Sequence, residues 1–462
     1  MVAVSAHGGE LLRLPGVTAP KVHPSAEVQA RPLWTALDAL EPSSALRPVV
    51  AVSAKSPGFR VSQPLKLGVI AYSSQGGSGN VARVCGAALA EAGHETSLLT
   101  NEGGFWDSQI PASMTLESVD VPHSPLEPAE SWVEPLARQL VELAQRKHLD
   151  GIMVHYAAGL LDAALRARDV LAAANQPMSV SATLHGTDIS TWAHHPVHGP
   201  ALRTQLERCD AVSAVSEGLA DQAQSVLRLT QRPRVILNSV DTGTFNADHW
   251  RVTPAQRGQV EDVRRRLAPY GETLIAHASN LRQVKRPLDA VETFAKIHAQ
   301  RPSKLLLLGD GPMIDAVYQR AMELGVADDI IPMGAQDPDR MSLYLAASDL
   351  SLVTSEAESF CLAALESLAV GTPVIGTHCG GLDEIMVGFG EGMTSNLLSE
   401  VGDTRGMAAH ALALLADRAA YDAVRGAGER LPLERFPRSA QERGYLDLAE
   451  LIRPPGTGAA AP

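Results

Sequence analysis

Ser355-Glu356-Ala357-Glu358-Ser359-Phe360-Cys361-Leu362, running on through Glu366 and Ala369 to Gly371-Thr372-Pro373-Val374-Ile375-Gly376, decides the fold of this chain. Leu362, Leu365, Glu366 and Ala369 recur at helical spacing. Gly371 follows as a left-handed cap, and Pro373 cannot continue the helix. Pro373 to Gly376 then reads as a buried strand. The stretch is therefore loop, helix, strand. Glu358 and Glu366, eight positions apart, frame the turn. Backbone N–H groups of Ser359, Phe360 and Cys361 are expected free at the helix start, a geometry that receives an anion. Glu366, inside the helix, is placed to accept from a pair of sugar hydroxyls.

Working outward, the same alternation recurs. Lys66 to Tyr72 is a buried-strand run, followed by Ser73-Ser74-Gln75-Gly76-Gly77-Ser78-Gly79-Asn80, a helix through Val81, Val84, Cys85, Ala88 and Leu89, and a strand at 96–100. That βαβ unit predicts a parallel sheet. Its glycine loop permits close approach to an anion but lacks the dinucleotide spacing. Two further strands end in His155-Tyr156 and in Thr183-Leu184-His185-Gly186-Thr187-Asp188. Open α/β sheets bind ligands beyond the carboxyl ends of their strands, so these residues share one rim with Gly76, Gly77 and Ser78. A strand is expected at 235–241, and an irregular linker at 242–252.

A second doubly wound unit opens at Thr273 to Ala278. Ser279-Asn280-Leu281-Arg282-Gln283-Val284-Lys285-Arg286-Pro287 follows, with three cations between a strand end and a helix. Arg and Lys there suit a diphosphate by charge and by fork geometry. Lys304 to Pro312 is a strand ending in the tight turn Gly309-Asp310-Gly311. Asp337-Pro338-Asp339 imitates a metal-binding pair but is better explained as a helix cap. One helical stretch is expected from Asp403 to about Ala427, then a last helix through Tyr445, Leu448 and Leu451. The organisation expected is an extension at 1–64, partly disordered, with one amphipathic turn on Leu33, Leu37 and Leu40. A first Rossmann-like domain at 65–241, completed by 431–453, and a second at 242–430 follow. A Pro/Gly/Ala tail at 454–462 closes the chain.

Composition fits a globular α/β chain: 462 residues, 45% hydrophobic and 20% charged. A net charge of −13 argues against a nucleic-acid footprint or an anionic membrane surface. The four cysteines are scattered, without a CxxC pair or a Cys/His cluster, so neither a disulfide framework nor a zinc site is indicated. No apolar run is long enough to span a bilayer, and no signal peptide is evident, so the expected location is the cytoplasm.

These motifs, in this order over about residues 66–452, resemble family 4 of the retaining glycosyltransferases, which have the GT-B fold. In that family two glutamates flank a Phe-Gly-Leu turn. The resemblance is strongest to the branch that joins N-acetylglucosamine to malate in the bacillithiol pathway. It implies two Rossmann-like domains facing a cleft, with the final helix crossing back onto the first. It also implies a nucleotide-sugar donor (UDP-GlcNAc), a small polar acceptor such as L-malate, and neither cofactor nor metal. On the donor it places Gly77, Asn280, Arg282, Lys285, Gly311, Glu358, Ser359, Phe360, Cys361, Leu362 and Glu366. Facing the acceptor it places Gly76, Gly77, Ser78, Tyr156, Thr183, His185, Arg203 and Asn238. His185, Arg282, Lys285 and Glu358 would carry the chemistry, with the leaving phosphate oxygen receiving the acceptor proton.

Cys361 departs from the pattern, standing where the family has Gly. Ala158-Gly159-Leu160-Leu161 and the extension depart as well. Acceptors in the same family include inositol phosphate and small thiols, such as ergothioneine receiving an octose from a GDP donor in lincosamide assembly. An epimerase, a phosphorylase and a non-catalytic nucleotide-sugar-binding protein share the fold. Oligomeric state is not fixed, and a homodimer is compatible with the sequence.

Overall fold

The computed structural model describes residues 61, 63–72, 77–101, 110, 112–122, 131–394 and 396–454. The expected helical turn at 33–40, Gly76 with the rest of 73–76, and the tail beyond 454 lie outside the described residues.

Two parallel sheets carry the fold. The first contains β1 (Lys66–Ala71), β2 (Glu95–Thr100), β3 (Met114–Ser118), β4 (Gly151–His155), β5 (Ser179–Leu184), β6 (Ala211–Ala214) and β7 (Arg234–Val235). The second contains β8 (Thr273–Ala278), β9 (Ser303–Leu308), β10 (Ile330–Gly334), β11 (Leu350–Val353), β12 (Val374–Thr377) and β13 (Leu398–Ser399). Strand orders are β3-β2-β1-β4-β5-β6-β7 and β10-β9-β8-β11-β12-β13. Every ladder between these strands is parallel. This is the doubly wound GT-B arrangement of two Rossmann-like lobes.

Helices cover both faces of a parallel sheet, so its central strands are apolar throughout rather than alternating. Every residue of β4 and of β5 is buried. Edge strand β3, by contrast, is mostly exposed beyond Met114. Neither β3 nor β13 was expected from the sequence, because a short edge strand needs no continuous apolar run. The strand expected at 235–241 shrinks to β7. Ile236 instead packs on the last helix, against Gly444.

In each order the chain reverses direction at one place, between β1 and β4 and between β8 and β11. Crevices outside the carboxyl ends of strands at such switch points receive ligands. The residues leaving those four strands are Gly77 onward, His155-Tyr156, Ser279–Arg286 and Thr354–Glu358.

The glycine motif is partly helical: Gly77 to Asn80 form the first turn of the helix Gly77–Ala92. The single stretch expected at 403–427 is two helices, Thr404–Ala416 and Arg418–Glu434. Asp417 separates them, its carboxylate accepting from the amides of Ala419 and Ala420 at 3.0 Å. Asp337 caps the next helix by accepting from Arg340 N at 2.9 Å, as expected. The last helix, Arg438–Leu451, buries Tyr445, Leu448 and Ala449 with Leu67, Val69 and Val81 of the first lobe.

Candidate active site

The basic turn after β8 and the glutamate loop after β11 are built as one piece. Thr354 donates its hydroxyl to the carbonyls of Lys285 (2.9 Å) and Arg286 (3.1 Å). Glu356 N donates to Val284 O at 2.8 Å. Lys285 Nζ stands 2.7 Å from both carboxylate oxygens of Glu358, and Ser355 Oγ donates to Oε1 at 2.7 Å. Burial pulls the Lys285 ammonium down, but Glu358, with Cys361 and Cys379 behind it, outweighs burial and holds it above the ordinary lysine value.

A histidine that sequence reasoning passed over supports this turn. His277 lies in β8 with Nδ1 3.0 Å from Leu352 O and Nε2 2.9 Å from Ser279 Oγ. Burial pushes it down to about 4, so it is neutral at pH 7. A carbonyl only accepts; Nδ1–H therefore donates to Leu352, and Nε2 accepts from the Ser279 hydroxyl. Ser279 Oγ in turn accepts from Leu281 N at 3.2 Å. The only sequence signal was His-Ala-Ser at a strand end.

The Arg282 side chain is exposed and forms no hydrogen bond or ion pair among the described residues; its charge is felt by Tyr156 of the other lobe. Asn280 is exposed, and its carbonyl lies against Gly311: a Cβ added there would fall 1.9 Å from it. The Ser359, Phe360 and Cys361 amides donate to nothing among the described residues. They stand immediately before the helix Leu362–Ala369, where such groups receive an anion.

Cys361 adopts φ 73°, ψ 62°, the left-handed region. That explains a glycine preference at this position, since a Cβ there costs about 1–2 kcal/mol. Its thiol is buried, and burial, then Glu358 and Cys379, raise it well above the ordinary range. Phe360 turns its ring inward, edge-on to Phe436 at 5.3 Å, leaving its backbone to the turn. Glu366 is partly exposed, and its carboxyl has no hydrogen-bond partner among the described residues. Burial nevertheless pushes it up to about 7.

From the first lobe come His155, Tyr156 and His185. His155 Nδ1 lies 3.1 Å from His185 Nε2, and the Tyr156 ring stacks parallel to His185 at 6.4 Å. Burial pushes His185 down to about 3, and burial and then His185 lower His155 well below its ordinary value. Both rings are therefore neutral. His155 Nε2 is buried without a partner among the described residues. An orphaned acceptor is tolerated better than an orphaned N–H, so His155 carries its proton on Nδ1 and donates to His185. His185 then holds its own proton on Nδ1. Asp188, fully buried and pushed up to about 6 by that burial, fixes the loop by accepting from His185 N (2.9 Å) and Ala158 N (3.0 Å).

The two rims meet. Ser359 Oγ donates to His185 O at 2.6 Å. Gly186, at φ 125°, packs on Ser359; a Cβ there would stand 2.9 Å from the serine Cβ and Oγ. A Cβ on Gly77 would be 3.7 Å from Leu362. Farther along, Glu384 accepts from the Glu217 and Gly218 amides at 3.2 and 3.3 Å. Two other expected site residues have side-chain partners of their own. Thr183 Oγ1 pairs with Ser213 Oγ at 2.9 Å, and Asn238 Oδ1 accepts from Gln441 at 3.1 Å. Ser78 is half-buried in the first helix, and Arg203 is exposed on the helix His198–Glu207.

Residues 75–244 match the family model described as Glycosyltransferase Family 4, and 272–417 that described as Glycosyl transferases group 1. The chain is 34% identical to N-acetyl-alpha-D-glucosaminyl L-malate synthase of Bacillus anthracis, over 79% of this chain and 91% of that protein. It is 32% identical to D-inositol 3-phosphate glycosyltransferase of Nocardia farcinica, over 35% and 37% respectively. Among solved structures, sucrose-phosphate synthase of Thermosynechococcus elongatus is similar with TM-score 0.67 at 19% identity, over 84% of this chain and 98% of that one. Anabaena HepE in complex with UDP-glucose is similar with TM-score 0.67 at 17% identity, over 84% and 99%. Among the described residues, no helix is long and apolar enough to cross a membrane.

Proposed function

Because the chain belongs to the family 4 glycosyltransferases, we propose that it moves a sugar, N-acetylglucosamine from UDP, onto the hydroxyl of a small hydroxy acid such as L-malate, with retention at the anomeric carbon. The observation that carries this reading is the convergence of Lys285, Glu358 and the unbonded Ser359–Cys361 amides at one lip of a crevice whose other lip holds His185. Lys285 has three N–H donors, of which Glu358 engages two. The third, together with Arg282 and the turn amides, stabilises the charge that grows on the departing diphosphate. These cations take the place of a metal in the proposal. The acceptor hydroxyl attacks from the face the diphosphate leaves, forming the new C–O bond as the old one breaks. Its proton passes to the leaving phosphate oxygen. Neutral His185, a donor through Nδ1, holds the sugar, and Glu366 grips the ribose. With the lobes closed on Ser359 and His185, water is kept from the donor.

A larger acceptor has one observation in its favour. A hollow of about 360 Å³ in the first lobe is lined by Trp132, Ala158 and Trp192, and Trp192 Nε1 is buried without a partner among the described residues. Incubating UDP- and GDP-sugars with malate, inositol phosphate and small thiols, with EDTA present, and reading products by mass and anomeric NMR tests both readings. The expected product is the α-linked N-acetylglucosaminyl acid. Transfer only to a thiol moves the assignment to the larger acceptor. A new sugar nucleotide from donor alone makes the protein an epimerase.

A further inference from the structure

We propose that the second lobe carries a separate binding site for a small, multiply charged phosphate-bearing anion, at the amino edge of its sheet and away from the catalytic crevice. A cavity of about 400 Å³ opens there. Its wall includes five arginines, Arg251, Arg264, Arg301, Arg418 and Arg425, in a protein whose net charge is −13. Asp349, which lines it too, immediately precedes β11, and Arg301 precedes β9. The catalytic turns leave the opposite ends of the same strands, so neither site is part of the other.

The arginines are not neutralised by their neighbours. Glu429 is shared by Arg251 (2.6 Å) and Arg425 (3.1 Å), Asp349 pairs with Arg264 (3.1 Å), and Asp422 with Arg418 (2.8 Å). Three carboxylates thus face five guanidiniums. Arg301 forms no ion pair among the described residues; its Nε donates to Thr273 Oγ1 at 2.7 Å, and its terminal nitrogens have no partner among the described residues. Among the described residues Arg425 is held through Nε alone, which likewise leaves its amino groups as donors. Arg418, Tyr421 and Arg425 lie on one face of the helix Arg418–Glu434, spaced as i, i+3 and i+7. Arg418 is the first residue of that helix, where its dipole adds positive potential.

Planar guanidiniums with paired free N–H groups match phosphate oxygens bidentately. Tyr421, its hydroxyl fixed on Asp349 O at 2.8 Å and its ring 5.8 Å from the Arg418 guanidinium, makes the wall rigid. A monoanion leaves the excess charge unmatched, whereas a di- or trianion satisfies it. This inference does not depend on the transferase reading.

Calorimetric titration of the full chain with inorganic pyrophosphate, after saturation with UDP to occupy the catalytic crevice, tests it. One binding event per chain is expected to persist. It should weaken at least tenfold in the Arg301→Glu/Arg425→Glu variant, while UDP affinity is unchanged. Arg425 also holds Glu429, so that variant could unfold. Ala416→Glu, at the exposed rim, removes no bond and should weaken the event as well. Absence of the second event in UDP-saturated protein, or an event equally strong in a folded Ala416→Glu protein, overturns the proposal.

Discussion

Ser359 of the second lobe donates its hydroxyl to the carbonyl of His185 in the first, at 2.6 Å, although 174 positions separate them. The bond joins the turn that presents free amides to the loop that carries the neutral histidine. Ser359→Ala removes about 1 kcal/mol of contact between the lobes. The expected result is a roughly fivefold loss of kcat with little change in UDP affinity. Gly186→Ala should be worse, because the added Cβ meets Ser359 at 2.9 Å and φ is 125°. Steady-state kinetics alongside calorimetric UDP binding check both; UDP affinity falling in step with kcat would instead place Ser359 on the donor.

The Lys285–Glu358 pair is partly buried, with side chains 23% and 10% exposed. Lys285→Ala strands the carboxylate and should destabilise the protein by about 3 kcal/mol. Turnover should also fall roughly 100-fold or more, through loss of charge stabilisation at the diphosphate. Lys285→Met/Glu358→Gln should restore the urea midpoint but not turnover. Recovery of turnover in the double variant would mean that the lysine serves only to hold the glutamate.

Cys361 should reverse the usual order of small residues. Elsewhere alanine outranks glycine in a helix, but at φ 73° glycine is the unstrained residue. Cys361→Gly should therefore be about 1 kcal/mol more stable than Cys361→Ala in urea. The native thiol, buried and raised, should resist iodoacetamide at pH 8 until the protein unfolds.

Glu366 titrates at about 7 in the folded chain, against an ordinary 4.5. Between those values the native state holds more protons than the unfolded one, so stability from this group declines as pH rises from 4.5 to 7. Glu366→Gln should raise the urea midpoint at pH 8 and have a much smaller effect at pH 5. It should also weaken UDP binding about tenfold if the carboxylate accepts from the ribose hydroxyls. An unchanged dissociation constant would remove that contact.

His185, pushed down to about 3 from 6.5, has the opposite sign. Its contribution is present above pH 6.5 and is lost as pH falls toward 3. In ¹⁵N-histidine spectra the ring should remain neutral at pH 5, protonated on one nitrogen. An imidazolium at that pH would overturn the tautomer assigned to the His155–His185 pair.

Much of this was legible along the chain, and the reasons are local. Apolar runs marked the central strands because helices cover both faces of a parallel sheet. Asp337 announced its capping role, and the basic turn and the glutamate turn each showed their charges in a few consecutive residues. Shorter signals failed. Edge strands β3 and β13 lack an apolar run, and the break at Asp417 hides inside one periodic pattern. Phe360 belongs to the turn through its backbone, while its ring is buried on Phe436, which the sequence did not show.

The sequence by itself determined the alternation of strand and helix, hence two wound lobes with their loops at the carboxyl ends. It also determined which loops carry cations and which carboxylates. Tertiary structure alone decided the partners: Lys285 with Glu358 across 73 positions, Ser359 with His185, and His277 beneath Ser279. It also imposed the left-handed conformation of Cys361. The physical reason is that burial patterns and caps are satisfied within a few residues. Which distant groups meet, in contrast, depends on strand order and on how the lobes close.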